Sequence, residues 1–123
     1  MAYMLLIHEP AGQRAARGPV EGQAVYDRML RFSAELREQG KLLAAESLGS
    51  LATATRVQVR EGKPQRLDGP FAEAKEMVGG FFLVDCATRA EAVAIAERCP
   101  AAEWCTVEVR DLAPCYVDGA PGG

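Results

Sequence analysis

Apolar and polar positions along this chain fall into two rhythms, and their order predicts a fold before any residue suggests chemistry. Every position from Tyr3 to Ile7 is apolar, so a strand over Tyr3 to His8 puts Tyr3, Leu5 and Ile7 on one face and Met4 and Leu6 on the other. A strand apolar on both faces belongs in the middle of a sheet. From Pro19 to Gln39, Val25, Met29, Phe32 and Leu36 recur at helical spacing, giving one apolar stripe. Pro19 suits the first turn, Asp27 and Arg31 stand at pairing distance, and Gly40 supplies the left-handed residue that ends a helix. Between strand and helix, Glu9 to Gly18 carries Pro10, Gly12 and Gly18 and reads as a loop whose Arg14 and Arg17 stay solvated.

The second half repeats the two rhythms. Lys41 to Leu48, led by Leu42-Leu43-Ala44-Ala45, reads as a second strand. Thr55 to Arg60 alternates Val57 and Val59 with polar residues, turns at Glu61-Gly62-Lys63-Pro64 and returns as Gln65 to Leu67, a half-exposed hairpin. Gly80 to Cys86 is again apolar on both faces and therefore central. Thr88-Arg89-Ala90-Glu91 is a capping box opening a helix whose buried stripe is Ala92, Ile95, Ala96 and Cys99, stopped by Pro100. Cys105 to Arg110 alternates as an edge strand, with Cys105, Val107 and Val109 inward.

Strand, helix, strand, inserted hairpin, strand, helix, strand is the split βαβ order of a ferredoxin-like α+β fold, in which the first and third core strands occupy the centre of the sheet. Two helices cover only one face of such a sheet. A second subunit packed sheet to sheet would cover the other, so the expected assembly is a homodimer. A single domain over residues 1–112 is expected, followed by a loose tail over 113–123 rich in Gly and Pro.

Composition removes several functions. The 17 acidic and 14 basic residues give a net charge of -3 with no basic block, which argues against nucleic-acid binding. No apolar run approaches the roughly 18 residues needed to span a bilayer, and no signal-like segment is present, so a cytoplasmic protein without a membrane partner is expected. The four cysteines have none of the spacings of zinc or redox motifs and are expected to be reduced thiols. No cofactor and no metal is expected.

Candidate chemistry concentrates at the end of the first strand and between Asp68 and Glu76. His8 is the only histidine and the one side chain whose ordinary pKa lies near neutrality, making it the candidate base. Asp68 is its candidate partner, since adjacent central strands bring the Asp68 segment near the first strand. Phe71, Glu73, Lys75 and Glu76 are candidate ligand contacts in a cleft beside that segment. Gly79 and Gly80 permit a close backbone approach, to a ligand or to a packed neighbour.

The combination of Tyr3-Met4-Leu5-Leu6-Ile7, Asp68-Gly69-Pro70-Phe71-Ala72-Glu73 with Lys75-Glu76, Gly79-Gly80-Phe81, Arg98-Cys99-Pro100 and Val107-Glu108-Val109-Arg110 resembles the DGPF-domain branch of the YCII-related family over nearly the whole chain. The resemblance implies a dimeric ferredoxin-like α+β barrel of bacterial type. It also implies a histidine and aspartate pair proposed for the wider group, and for some members a genomic link to extracytoplasmic-function sigma factors. Ala74 stands where the motif usually has threonine, and the helix from Val20 to Gln39 contains no histidine. Two function classes follow: a binder of small organic molecules, with or without acid/base chemistry, and a non-enzymatic dimeric module for a sigma-factor-related partner.

Overall fold

The unbroken apolar run at the start of the chain becomes β1 (Ala2–Pro10), whose burial alternates residue by residue: Tyr3, Leu5, Ile7 and Glu9 are buried, and Ala2, Met4, Leu6 and His8 are half-buried. The computed structural model describes residues 1–116; the end of the tail expected to be loose, 117–123, lies outside the described residues. After β1 come a short helix α1 (Gln13–Ala16), a long helix α2 (Pro19–Glu38) and β2 (Leu42–Ser47). The hairpin β3 (Thr55–Arg60) and β4 (Lys63–Asp68) precedes β5 (Glu76–Asp85), α3 (Arg89–Arg98) and β6 (Thr106–Asp111).

The main sheet has the order β2-β5-β1-β6, with all three pairings antiparallel, so the two strands apolar on both faces are the central ones. This is the mixed α+β arrangement expected from the element order. Odd-numbered β1 residues meet Phe82 and Val84 of β5 and Val107 and Val109 of β6 on the face covered by α2 and α3. There Phe32 of α2 meets Phe82 edge to face, ring centroids 5.4 Å apart, and Leu36 and Ile95 are sealed from solvent. Full burial of an aliphatic side chain of this size contributes about 1.5–3 kcal/mol. Met4, Leu6, Phe81 and Leu83 lie on the opposite face, which no element among the described residues covers and which leaves them only half-buried.

Local signals account for the element ends. Thr88 Oγ1 accepts from the Glu91 backbone N–H at 3.2 Å, while Glu91 accepts from the Ala87 N–H at 3.1 Å, so the predicted capping box forms with its return bond one residue earlier. Gly40, at φ 70, follows α2 as the left-handed residue. Asp27 takes a hydrogen bond from Gln23 at 2.9 Å rather than from Arg31.

The hairpin departs from expectation. Its strands pair only with each other, and every residue from Thr55 to Asp68 is exposed, so it stands off the main sheet instead of lying half-buried against it. Its turn is the two-residue Glu61-Gly62, at φ 53 and 74, a pairing of positive φ values that matches the twist of a tight hairpin. Lys63 and Pro64 consequently belong to β4, opposite Arg60 and Val59. No helix among the described residues is long and apolar enough to cross a membrane.

Candidate functional site

The apolar stripe of α2 does two jobs. Its C-terminal half, Phe32 and Leu36, closes on the sheet, whereas Val25 and Met29 line a cleft of about 570 Å³ between α2 and the helix-covered face. That volume falls within the range of about 300–1,000 Å³ usual for small-molecule sites. The opposing wall comes from the end of β1, the start of β5 and the end of β2, and the segment entering β6 adds Ala101, Trp104 and Cys105.

A partly buried ion pair forms the polar part of the cleft. Glu9 is only 8% exposed because it continues the alternation of Tyr3, Leu5 and Ile7 onto the helix-covered face. Gly12, at φ 83, turns the chain back after β1, and α1 then brings Arg14 to that carboxylate. Arg14 donates to Glu9 from Nε at 2.9 Å and from Nη2 at 2.8 Å, a two-point geometry specific to guanidinium and carboxylate. Nη1 also reaches the Leu48 carbonyl at 2.8 Å and Nη2 the Gly79 carbonyl at 3.3 Å. One side chain thereby ties the ends of β1 and β2 to the start of β5. The expectation that Arg14 is a solvated loop residue is overturned: the α1 turn and a buried carboxylate draw it inward.

Gln13 fixes the other side of α1. Its Nε2 donates to the Trp104 carbonyl at 2.6 Å, and its Oε1 accepts from the Cys105 thiol at 3.4 Å. Burial, and secondarily the Glu9 carboxylate, raises the Cys105 pKa, so the thiol in this cleft stays protonated near neutrality and is a poor nucleophile. Arg17 also lines the cleft, its guanidinium carbon 5.7 Å from the Trp104 ring centroid, and so is not simply solvated either. Gly79 and Gly80 are required by packed neighbours. A Cβ on Gly79 would lie 1.9 Å from Glu9 Oε1, and one on Gly80 would lie 2.9 Å from the Glu46 carbonyl oxygen.

The candidates singled out from sequence lie elsewhere. His8, one residue before Glu9, is on the uncovered face of β1, where its Nε2 meets Glu108 Oε1 at 2.7 Å. Asp68 ends β4 and accepts a hydrogen bond from Thr55 Oγ1 at 2.7 Å, so each half of the expected pair has another partner and no hydrogen bond joins them within the subunit. Phe71 is buried, with the Arg56 guanidinium carbon 3.6 Å from its ring centroid. Glu73 pairs with Arg56 at 3.0 Å; a backbone hydrogen bond, and then Arg56, hold its carboxyl below the usual range. Lys75 and Glu76 are exposed, but the loop does reach the end of β1: the Ala11 N–H donates to the Lys75 carbonyl at 2.8 Å and Glu76 lies opposite Pro10. None of these residues lines the cleft. Among the described residues no group of three or more His, Cys, Asp or Glu side chains is placed to hold a metal ion.

Comparison with other proteins gives a consistent identity. An uncharacterised protein of Rhizobium meliloti (strain 1021) is 32% identical over 115 residues, spanning 92% of this chain and 93% of its own. Among solved structures, the 5-chloro-2-hydroxyhydroquinone dehydrochlorinase of Burkholderia phenoliruptrix AC1100, in complex with 2,5-dihydroxybenzoquinone, aligns with a TM-score of 0.55 over 92% of this chain and 94% of that one. At 15% identity this is a likeness of fold. Residues 1–115, from the first strand past the last, match the sequence profile of the YCII-related domain, and the chain therefore belongs to the YCII-related family.

Proposed function

We propose that this protein binds a small organic molecule in the cleft between α2 and the sheet. The observation that carries the reading is a cleft of about 570 Å³ whose apolar walls, including Val25, Met29 and Phe82, converge on the partly buried Glu9–Arg14 pair. Apolar walls with a few fixed polar groups suit an organic ligand. The solved dehydrochlorinase of the same fold holds a dihydroxybenzoquinone, which supports the same class of ligand here. Where proton transfer accompanies binding, Glu9 is the carboxylate placed to take part, and His8, on the other face of β1, is not.

The uncovered sheet face supports a second element of the proposal, a homodimer. Met4, Leu6, Phe81 and Leu83 form an apolar patch that a second copy would bury, and His8 with Glu108 would then lie within the contact.

Gly22 provides the test, because it lines the cleft from α2 and a Cβ there meets nothing within 4 Å. Gly22→Trp should fill the cleft without disturbing the backbone. Wild-type protein should gain thermal stability with 2,5-dihydroxybenzoquinone, by about 2.7 kcal/mol at a hundredfold excess over Kd. Gly22→Trp should fold and show no gain; an equal gain in the variant would overturn the cleft as the site.

A further inference from the structure

The charges around the cleft are unequally compensated, and the imbalance points to a ligand class. Three guanidinium groups gather near the entrance to β6. Arg14 is committed to Glu9 and to two backbone carbonyls. Arg28, 5.2 Å from the Trp104 ring centroid, is paired with Glu103. Arg17 alone has no carboxylate within ion-pair distance among the described residues, yet it is half-buried, lines the cleft and is held over the Trp104 ring. A cation resting on an indole face is oriented by the ring's electron density, which fixes its direction without neutralising its charge.

The cleft also has a direction. Arg17 and Trp104 stand at its β6 end, whereas Glu46 of β2, at the opposite edge of the sheet, lies opposite Phe81 in register and so its side chain shares the uncovered face, away from the cleft. With neighbouring strands about 4.8 Å apart, the two edges are separated by about 14 Å, more than the length of a single-ring molecule. An anionic group placed at Arg17 would meet no uncompensated carboxylate on the helix-covered face of the cleft among the described residues, since Glu9 is paired with Arg14.

We infer that the cleft selects an organic acid and that Arg17 is the residue that recognises its anionic group, with the apolar body of the molecule lying against Met29 and Val25. This inference rests on the cleft being the ligand site. A guanidinium in a partly dehydrated cleft, already deprived of a counter-ion, loses little on meeting a carboxylate and gains a charge-assisted hydrogen bond. Lysine at the same place would keep the charge but lose the planar two-point geometry and the stacking on Trp104.

The test compares 2,5-dihydroxybenzoate with its neutral amide, 2,5-dihydroxybenzamide, by calorimetric titration of wild type, Arg17→Gln, Arg17→Lys and Gly22→Trp. Trp104, the only tryptophan in the chain, provides a second readout through its fluorescence. Wild type should prefer the acid on the order of tenfold to a hundredfold, the value of a charged hydrogen bond. Arg17→Gln should erase that preference by weakening the acid alone, and Arg17→Lys should restore part of it. Equal affinity of wild type for both probes, or parallel loss of both in Arg17→Gln, would overturn the role of Arg17 while leaving the cleft in place. Acid binding that survives unchanged in Gly22→Trp, or wild type that binds neither probe, would overturn the cleft reading and this inference with it.

Discussion

Gly79 and Glu9 approach so closely that a methyl group on the glycine would lie 1.9 Å from the carboxylate oxygen Oε1 and 2.4 Å from Cδ. Glu9 cannot swing aside, because Arg14 holds both of its oxygens. Gly79→Ala should therefore destabilise the fold by about 1–3 kcal/mol, the usual cost of overpacking. Gly22→Ala, in open space within α2, should instead be neutral or stabilising by up to about 1 kcal/mol. Urea denaturation of both variants checks the contrast, and equal stabilities would remove the close contact from consideration.

Arg14 should matter more to stability than its place in a short surface helix suggests. Arg14→Met leaves a carboxylate whose side chain is 11% exposed without its counter-ion. Loss of one partner costs about 3–5 kcal/mol for a fully buried pair, and the 35% exposure of the Arg14 side chain reduces that to about 2–3 kcal/mol. In a double-mutant cycle, Glu9→Gln together with Arg14→Met should be less destabilised than the sum of the single changes. Additive effects would mean that the pair does not act as a unit.

Alkaline pH should weaken the fold through a buried thiol. Burial pushes Cys99 up to about 11, above the roughly 8.5 of a free thiol. The folded state then holds the proton more tightly than the unfolded state. Stability is unaffected by this group below about pH 8.5 and falls, by at most about 1.4 kcal/mol per pH unit, until the folded thiol itself titrates. The difference between wild type and Cys99→Ala in unfolding free energy should therefore narrow across that window, and a constant difference from pH 8 to pH 11 would contradict it. At pH 8 a thiol reagent should modify exposed Cys115 rapidly and leave Cys86 and Cys99 intact.

The two faces of the sheet should respond differently to charge. Leu6 lies on the uncovered face and Phe82 within the core, so Leu6→Glu should yield a folded monomer and Phe82→Glu an unfolded chain. Light scattering and circular dichroism distinguish these outcomes. A wild-type protein that remains monomeric at micromolar concentration would remove the homodimer.

The central strands were legible in the sequence because Tyr3 to Ile7 and Phe81 to Val84 are apolar at every position, a pattern tolerated only in the middle of a sheet. Which alternate set faces the helices was not, since Tyr3, Leu5 and Ile7 differ little in hydrophobicity from Met4 and Leu6. The α2 stripe was equally plain, but periodicity cannot show that Val25 and Met29 also line a cleft between the helix and the sheet. Glu9 and Arg14 were missed because their contact depends on the chain reversal at Gly12, which places a residue from an apparent loop beside a strand end. A usable signal existed: continuing the alternation Tyr3, Leu5, Ile7 by one step puts Glu9 on the helix-covered face and His8 on the other. Asp68 to Glu76 drew attention through its motif, yet its charges are tied to the hairpin through Thr55 and Arg56 or left in solvent.

The most direct test of the cleft assignment is a titration of 15N-labelled protein with 2,5-dihydroxybenzoquinone, followed by amide chemical shifts. Binding in the cleft predicts the largest changes at Gly22, Ser47, Gly79, Gly80 and the Trp104 indole N–H, with the amides of Asp68, Phe71 and Glu73 nearly still. Shifts centred on the Asp68 to Glu76 loop, with the cleft amides unmoved, would contradict it.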